Sequence, residues 1–102
     1  MAIINSNVAT TATSVYTSTG SSAVVTIHLC NFTNASQTVN VYAVSSGNVA
    51  SNYNIIYSNY NITAYNTLII NTEKFILSDQ DSIRVNCSNV SAVTATVSYI
   101  GI

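Results

Sequence analysis

The sequence predicts an all-β fold: a single antiparallel β-sandwich of seven or eight strands, either immunoglobulin-like or jelly-roll-like. Runs rich in Val, Ile, Thr and Tyr recur about every ten residues, separated by clusters of Gly, Asn, Ser and Asp. No segment has the period of an amphipathic helix. The chain of 102 residues is long enough for one domain, and its lack of Pro leaves the strands uninterrupted.

Alternation of apolar and polar residues locates the strands along the chain. In the second strand, for example, we expect Val25, Ile27 and Leu29 to share the inward face. The predicted segments, in order, are 8–16, 23–32, 38–44, 53–62, 67–71, 75–77, 83–87 and 92–100. The residues before the first segment, 1–7, are predicted to form an N-terminal arm, which leaves 8–102 as the sandwich domain.

Each predicted strand ends at a cluster of turn-forming residues or at a change in pattern. Loop 45–52 is the longest of these connections. The shorter turns are 18–21, 33–36, 63–66 and 78–81. Inward faces are predicted from every second residue of the later strands: Val39, Val41 and Ala43; Ile83, Val85 and Cys87; Val93, Ala95, Val97 and Tyr99.

Charge is scarce in this chain. Only 5% of the residues are charged, whereas in an ordinary soluble domain roughly a quarter of the residues are. The charged residues are Glu73, Lys74, Asp79, Asp81 and Arg84. Because charge keeps free monomers apart, a folded chain without it is expected to pack against neighbours, and a homo-oligomer is predicted. A net charge of −1 gives no support for binding nucleic acid or an anionic membrane.

This sequence does not lead us to expect a targeting signal. No run approaches the roughly 20 apolar residues of a membrane helix. The first residues contain no basic region followed by an apolar run, so a secretory signal is not indicated and cytoplasmic synthesis is expected.

The titratable residues do not indicate an enzyme, a cofactor or a metal site. His28 is predicted on a strand face that points away from the core. Asp79 and Asp81 could contribute to a calcium site, but aspartates in a turn more often bind their own backbone. Cys30 and Cys87 are expected to be free thiols, because the core Trp and the tyrosine corner of an immunoglobulin domain are missing.

Two groups of residues are predicted to contact other subunits. Tyr53, Tyr57, Tyr60 and Tyr65 lie close together in the sequence among several Asn. Tyrosine is enriched in strands and interfaces, and aromatic faces beside amides also bind sugars, so subunit contact and glycan binding are both open. The other group comprises apolar residues at the two ends of the chain, where segments usually fray: Ile3, Ile4 and Ile102.

Segments 63–77, 81–85 and 93–102, together with 15–18 and 26–31, resemble small virion structural proteins of tailed phages, notably of marine phages. The shared pattern is an apolar strand, a turn carrying Asp, another strand, a loop of small residues and a closing strand. This sequence differs from it at Gln80-Asp81, where a Gly-Asp pair is common. The resemblance implies a β-sandwich displayed on a head, tail or fibre.

Composition and resemblance therefore predict a non-enzymatic structural subunit of a phage virion. The first expectation is a head decoration or cement protein that stabilises the capsid by subunit contacts, with the major capsid protein or tail proteins as partners. A tail or fibre-associated module and a host-glycan-binding domain are the alternatives. The predicted location is the virion, after synthesis in the host cytoplasm.

Overall fold

The computed structural model describes residues 2–71 and 75–102. Met1 and residues 72–74, which include the charged Glu73 and Lys74, lie outside the described residues. The strands within the described ranges are β1 (Ala2–Asn7), β2 (Thr13–Thr17), β3 (Ser22–Asn31), β4 (Gln37–Val44), β5 (Ile55–Ile62), β6 (Thr67–Ile70), β7 (Phe75–Leu77), β8 (Ser82–Cys87) and β9 (Val93–Gly101).

The strands form two antiparallel sheets packed as a sandwich, as predicted. Sheet A has the order β1-β9-β3-β6, and the short β7 also pairs with β3. Sheet B has the order β2-β8-β4-β5. The nine strands of the described residues exceed the predicted seven or eight, because the segment predicted as an arm contributes β1.

The strand order is that of a jelly roll. If β6 and β7 are taken as two parts of one interrupted strand, the first strand pairs with the last, the second with the one before it, and so on inward to β4 and β5. This nesting is a long antiparallel hairpin rolled into two sheets. An immunoglobulin sandwich instead places its first strand beside its second in an ABED sheet. Of the two predicted variants, the topology is therefore the jelly roll.

The core lies between the two sheets and consists mainly of small β-branched side chains. Val39, Val41, Ile83 and Val85 of sheet B are fully buried, as are Ile27, Leu29, Val93, Ala95 and Val97 of sheet A. The predicted inward faces of β8 and β9 are confirmed, with Tyr99 partly buried against Tyr16 at a ring separation of 4.4 Å.

The predicted first strand, 8–16, is wrong, because the chain crosses from one sheet to the other within it. The Val8 amide donates to the Val93 carbonyl of sheet A at 2.9 Å. One residue later, the Ala9 carbonyl accepts from the Cys87 amide of sheet B, also at 2.9 Å. Only then does β2 begin, at Thr13. Val8 is buried at this crossing and so gives the same apolar signal as a strand residue.

The predicted inward face of β3 is wrong at Val25. A β-bulge shifts the register with β9 between Val24 and Thr26, so Val24 is buried and Val25 is not. A bulge inserts one residue and reverses the alternation on one side of it. The inward positions of Ile27 and Leu29, beyond the bulge, are confirmed.

Candidate interaction surfaces

The outer face of sheet A carries no charged side chain among the residues that the structure describes. Its side chains stand opposite those that fill the core, and among the described residues of its five strands none is Asp, Glu, Lys or Arg. Across the sheet, the register aligns the following outward residues: Ile3, Ser98 and Thr26; Asn5, Thr96, His28 and Ile69; Asn7, Thr94, Cys30 and Thr67; Ile100, Ala23 and Ile76. Threonine, serine and isoleucine can be covered by a neighbour without desolvating an ion.

The strand β1 is one edge of this face. The segment predicted to be an N-terminal arm pairs with β9 over residues 2–7 without a register shift. Ile3 and Ile4 are 64% and 41% exposed, respectively. Whether they contact another subunit stays a prediction, but the structure fixes their position on an open sheet edge.

Hydrogen-bond alternation determines which backbone groups of β1 face outward. In an antiparallel pair, every second residue exchanges both of its backbone bonds with its partner. Val8 donates to Val93, so Ser6, Ile4 and Ala2 also bond to β9. The N–H and C=O groups of Ile3, Asn5 and Asn7 therefore point away from the sheet.

The other sheet edges in the described ranges are irregular. β2 has five residues and a bulge between Ser14 and Tyr16. β5 has two register shifts against β4, and the Asn59 amide is occupied by the Asn40 side-chain oxygen at 2.7 Å. β6 and β7 are separate strands of four and three residues. Bulges and short strands are the usual means by which proteins prevent edge-to-edge pairing.

The four predicted tyrosines do not form one site. Tyr53 precedes β5 and Tyr65 follows it, so a strand of eight residues, about 23 Å long, separates them. Both are exposed, Tyr53 completely. Tyr57 and Tyr60 do meet, edge to face, with ring centroids 5.7 Å apart, and Tyr57 also packs against the core.

A cleft opens where β5 meets β6 at the end of the sandwich. It has a volume of about 360 Å³, and Tyr60, Asn61, Thr63, Asn66 and Ile69 are among its lining residues. The Thr63 hydroxyl is already bonded by the Asn66 amide across the turn that joins the two strands. The cleft could hold a small polar group, and the described residues that line it include no carboxylate or imidazole.

The acidic turn at 78–81 uses its carboxylates to bind backbone amides. Asp81 accepts from the Ser46 and Ser78 amides at 2.8 and 3.0 Å, and Asp79 accepts from the Gly20 amide at 2.8 Å. The predicted bond to the turn's own backbone is found for Asp81 and Ser78, whereas the other two bonds join this turn to distant loops. Through these hydrogen bonds the two aspartates connect the turns 18–21 and 78–81 with loop 45–52.

The two cysteines lie in different environments, and both are free thiols, as expected. Cys30 is half-buried on the outer face of sheet A, two residues from the outward-facing His28. Cys87 is buried in sheet B, where its thiol donates to the Asn89 carbonyl at 2.9 Å. Burial raises the pKa of the Cys87 thiol, with backbone hydrogen bonds acting in the opposite direction, so it stays protonated at neutral pH.

One structurally central residue was not identified from the sequence. Asn31 is completely buried at the end of β3. Its amide donates to the carbonyls of Ala35 and Ile62 at 2.8 and 3.0 Å, and its oxygen accepts from the amide and hydroxyl of Thr33. The only sequence signal is an Asn two residues before a Thr, a spacing that is common in this Asn-rich chain.

Within residues 2–71 and 75–102, no group of three or more His, Cys, Asp or Glu is placed to hold a metal ion. No helix in that part of the chain is long and apolar enough to cross a membrane. No protein-family model, curated protein or solved structure matches the chain.

Proposed function

We propose that this chain is a non-enzymatic structural subunit of a phage virion, and that it decorates or cements the head. The observation that carries the proposal is that the described residues in the strands of sheet A include no charged side chain. A freely soluble protein of this size would distribute charge over both of its faces. A face of Thr, Ser, Asn and Ile is suited to being covered by another protein surface.

Two further points support the virion as the location. The sequence resembles small structural proteins of tailed phages in most of its strands. The jelly roll is also an architecture of viral capsid and lectin domains, although this is an analogy at the level of the fold.

The dimensions of the molecule suit a subunit that bridges two neighbours. The sandwich measures 38 × 27 × 21 Å. Placed across a junction with sheet A inward, it would bury surface on both neighbouring capsid subunits at once. Separating those subunits would then also require breaking the contacts with this chain, which stabilises the shell.

The decisive experiment uses virions produced from the genome that encodes the chain. Mass spectrometry of purified particles should detect it, and gold-labelled antibody should mark the head in negative stain. Particles lacking the gene should lose DNA at a lower temperature, and adding purified chain should restore them. Absence of the chain from purified particles would overturn the proposal.

A pair of charge variants tests the contact face. Thr94→Lys places a cation on the outer face of sheet A, whereas Thr38→Lys places one on the exposed surface of sheet B. We expect Thr38→Lys to restore the particles as the wild type does, and Thr94→Lys to fail. The opposite pattern would assign the contact to sheet B.

The same labelling separates the alternative functions. Gold on the tail or fibres, with none on the head, would favour the tail-associated module. Binding of the wild type to a glycan array, lost in Tyr60→Ala, would favour the lectin-like domain, because Tyr60 lines the cleft beside β6.

A further inference from the structure

We infer that the chain forms a symmetric dimer in solution by antiparallel pairing of β1 with β1 of a second copy. The outer faces of the two A sheets would then form one continuous surface. This inference concerns the free protein and holds whether or not the chain is a virion subunit.

The unpaired backbone of β1 determines what kind of partner can cover it. Ile3, Asn5 and Asn7 direct their N–H and C=O groups outward, at alternate positions along six regularly paired residues. Backbone donors and acceptors at this spacing match those of another β-strand, which can hydrogen-bond to them. The strand has no charge, no proline and no bulge that would prevent pairing.

A second copy of β1 can form hydrogen bonds with all of these outward backbone groups. In an antiparallel pair, opposite residues must point to the same face of the sheet. A twofold axis at Asn5 meets this condition: it pairs Asn5 with itself and Ile3 with Asn7 of the second copy. All outward N–H and C=O groups of these three residues are then bonded in both copies. Such a contact is isologous, the type of interface that closes a dimer.

The side chains at the axis are compatible with this arrangement. The Asn5 side-chain oxygen already accepts from the Thr96 hydroxyl at 2.9 Å, which holds the amide on the outer face. Its nitrogen remains available to donate to the second copy. No like charges meet, because the strands of sheet A have none among the described residues.

A proline substitution tests the pairing, and within the monomer it removes one exposed side-chain hydrogen bond, from Thr96 to Asn5. Asn5→Pro removes an N–H that points to solvent in the monomer, and prolines are tolerated at such edge positions. In the dimer it removes both hydrogen bonds at the axis. We expect sedimentation equilibrium to show dimerisation of the wild type, and a dissociation constant about tenfold higher or more for Asn5→Pro. Circular dichroism should be unchanged.

Thr67→Pro is the matched control, because the Thr67 N–H also points outward, but at the β6 edge of the same sheet. It should dimerise like the wild type. A wild type that stays monomeric at high concentration, an Asn5→Pro variant that dimerises normally, or an equal loss in Thr67→Pro would each overturn the inference. These outcomes leave the proposed function to be decided by the particle experiments.

Cysteine cross-linking tests the register. In a Cys30→Ser background, Asn5→Cys places two thiols at the axis, where Cα atoms about 5.5 Å apart suit a disulfide. Asn7→Cys, which stands opposite Ile3 in the proposed register, is the control. We expect mild oxidation to give a covalent dimer with Asn5→Cys and little with Asn7→Cys. Preferential cross-linking of Asn7→Cys would contradict the axis at Asn5.

Discussion

At the scale of single residues, the turns contain the backbone conformations that L-amino acids adopt least readily. Asn59, Tyr65, Gln80 and Ser91 all have positive φ angles in the described part of the chain. Gln80 is the clearest case, with φ of 69° at the third position of the turn 78–81.

Replacing Gln80 with Gly should stabilise the protein. The left-handed conformation costs about 1–2 kcal/mol for a residue with a Cβ, and Gly avoids this cost. Gly also loses more conformational entropy on folding, which offsets roughly 0.5–1 kcal/mol of the gain. The Gln80 side chain offers little in compensation, since among the described residues it makes one long hydrogen bond, to Asp79 at 3.5 Å. We therefore expect Gln80→Gly to raise the free energy of unfolding in urea by about 0.5–1 kcal/mol.

Ser78→Gly is the control for this effect, because Ser78 lies in the same turn but not in the left-handed region. It should lower the free energy of unfolding slightly. If Gln80→Gly were also destabilising, the positive φ would not be a source of strain.

Residue identity alone could predict the turn at 78–81 but not the role of Asn31. Asp81 accepts from the Ser78 amide within its own turn, a local contact of the kind that the sequence predicts, whereas the bonds from Ser46 and Gly20 were not predicted. The partners of Asn31 include Ile62, which is distant in the sequence and comes close only when the sheets are assembled. The sequence does not distinguish this Asn from the many exposed ones.

At the scale of the strand, the sequence predicted the centres of strands better than their ends. Regular alternation in β8 and β9 matches their buried faces, because both are central strands paired on both sides. Alternation fails at a bulge and at a crossing between sheets. Alternation gave the wrong prediction at Val25, which does not face inward, and at Val8, which does not begin a strand. The positions of both residues depend on the partner strand rather than on local sequence.

The bulge in β3 makes a prediction about two adjacent valines. Val24 is 1% exposed, whereas Val25 lies on the other side of the strand and is only partly buried. Val24→Ala should lower the free energy of unfolding by about 2 kcal/mol, and Val25→Ala by less than about 1 kcal/mol. Urea denaturation of the two variants measures the difference. Equal losses, or a greater loss for Val25→Ala, would contradict the bulge.

At the scale of the whole molecule, strand spacing predicted a sandwich but left its topology open. Both the immunoglobulin fold and the jelly roll consist of short strands separated by turns. They differ in which strands are neighbours, and those pairings join residues as distant as Ala2 and Tyr99. The sequence predicted that charged residues are scarce, but not which face lacks them. The topology decides this, because it places Asp79, Asp81 and Arg84 outside sheet A.

Because the proposed contacts are uncharged, self-association should depend little on salt. Raising NaCl from about 0.05 to about 1 M shortens the screening length from over 10 Å to about 3 Å, which weakens ion pairs but not backbone hydrogen bonds. We expect the wild-type dissociation constant, measured by sedimentation, to change less than about threefold. Asn5→Lys should behave differently, because two lysines would face each other across the axis. Its association should be weak at low salt and strengthen as salt screens the repulsion. If wild-type association instead fell steeply with salt, ion pairs would be holding the copies together, and the three described charged residues would be the first to test.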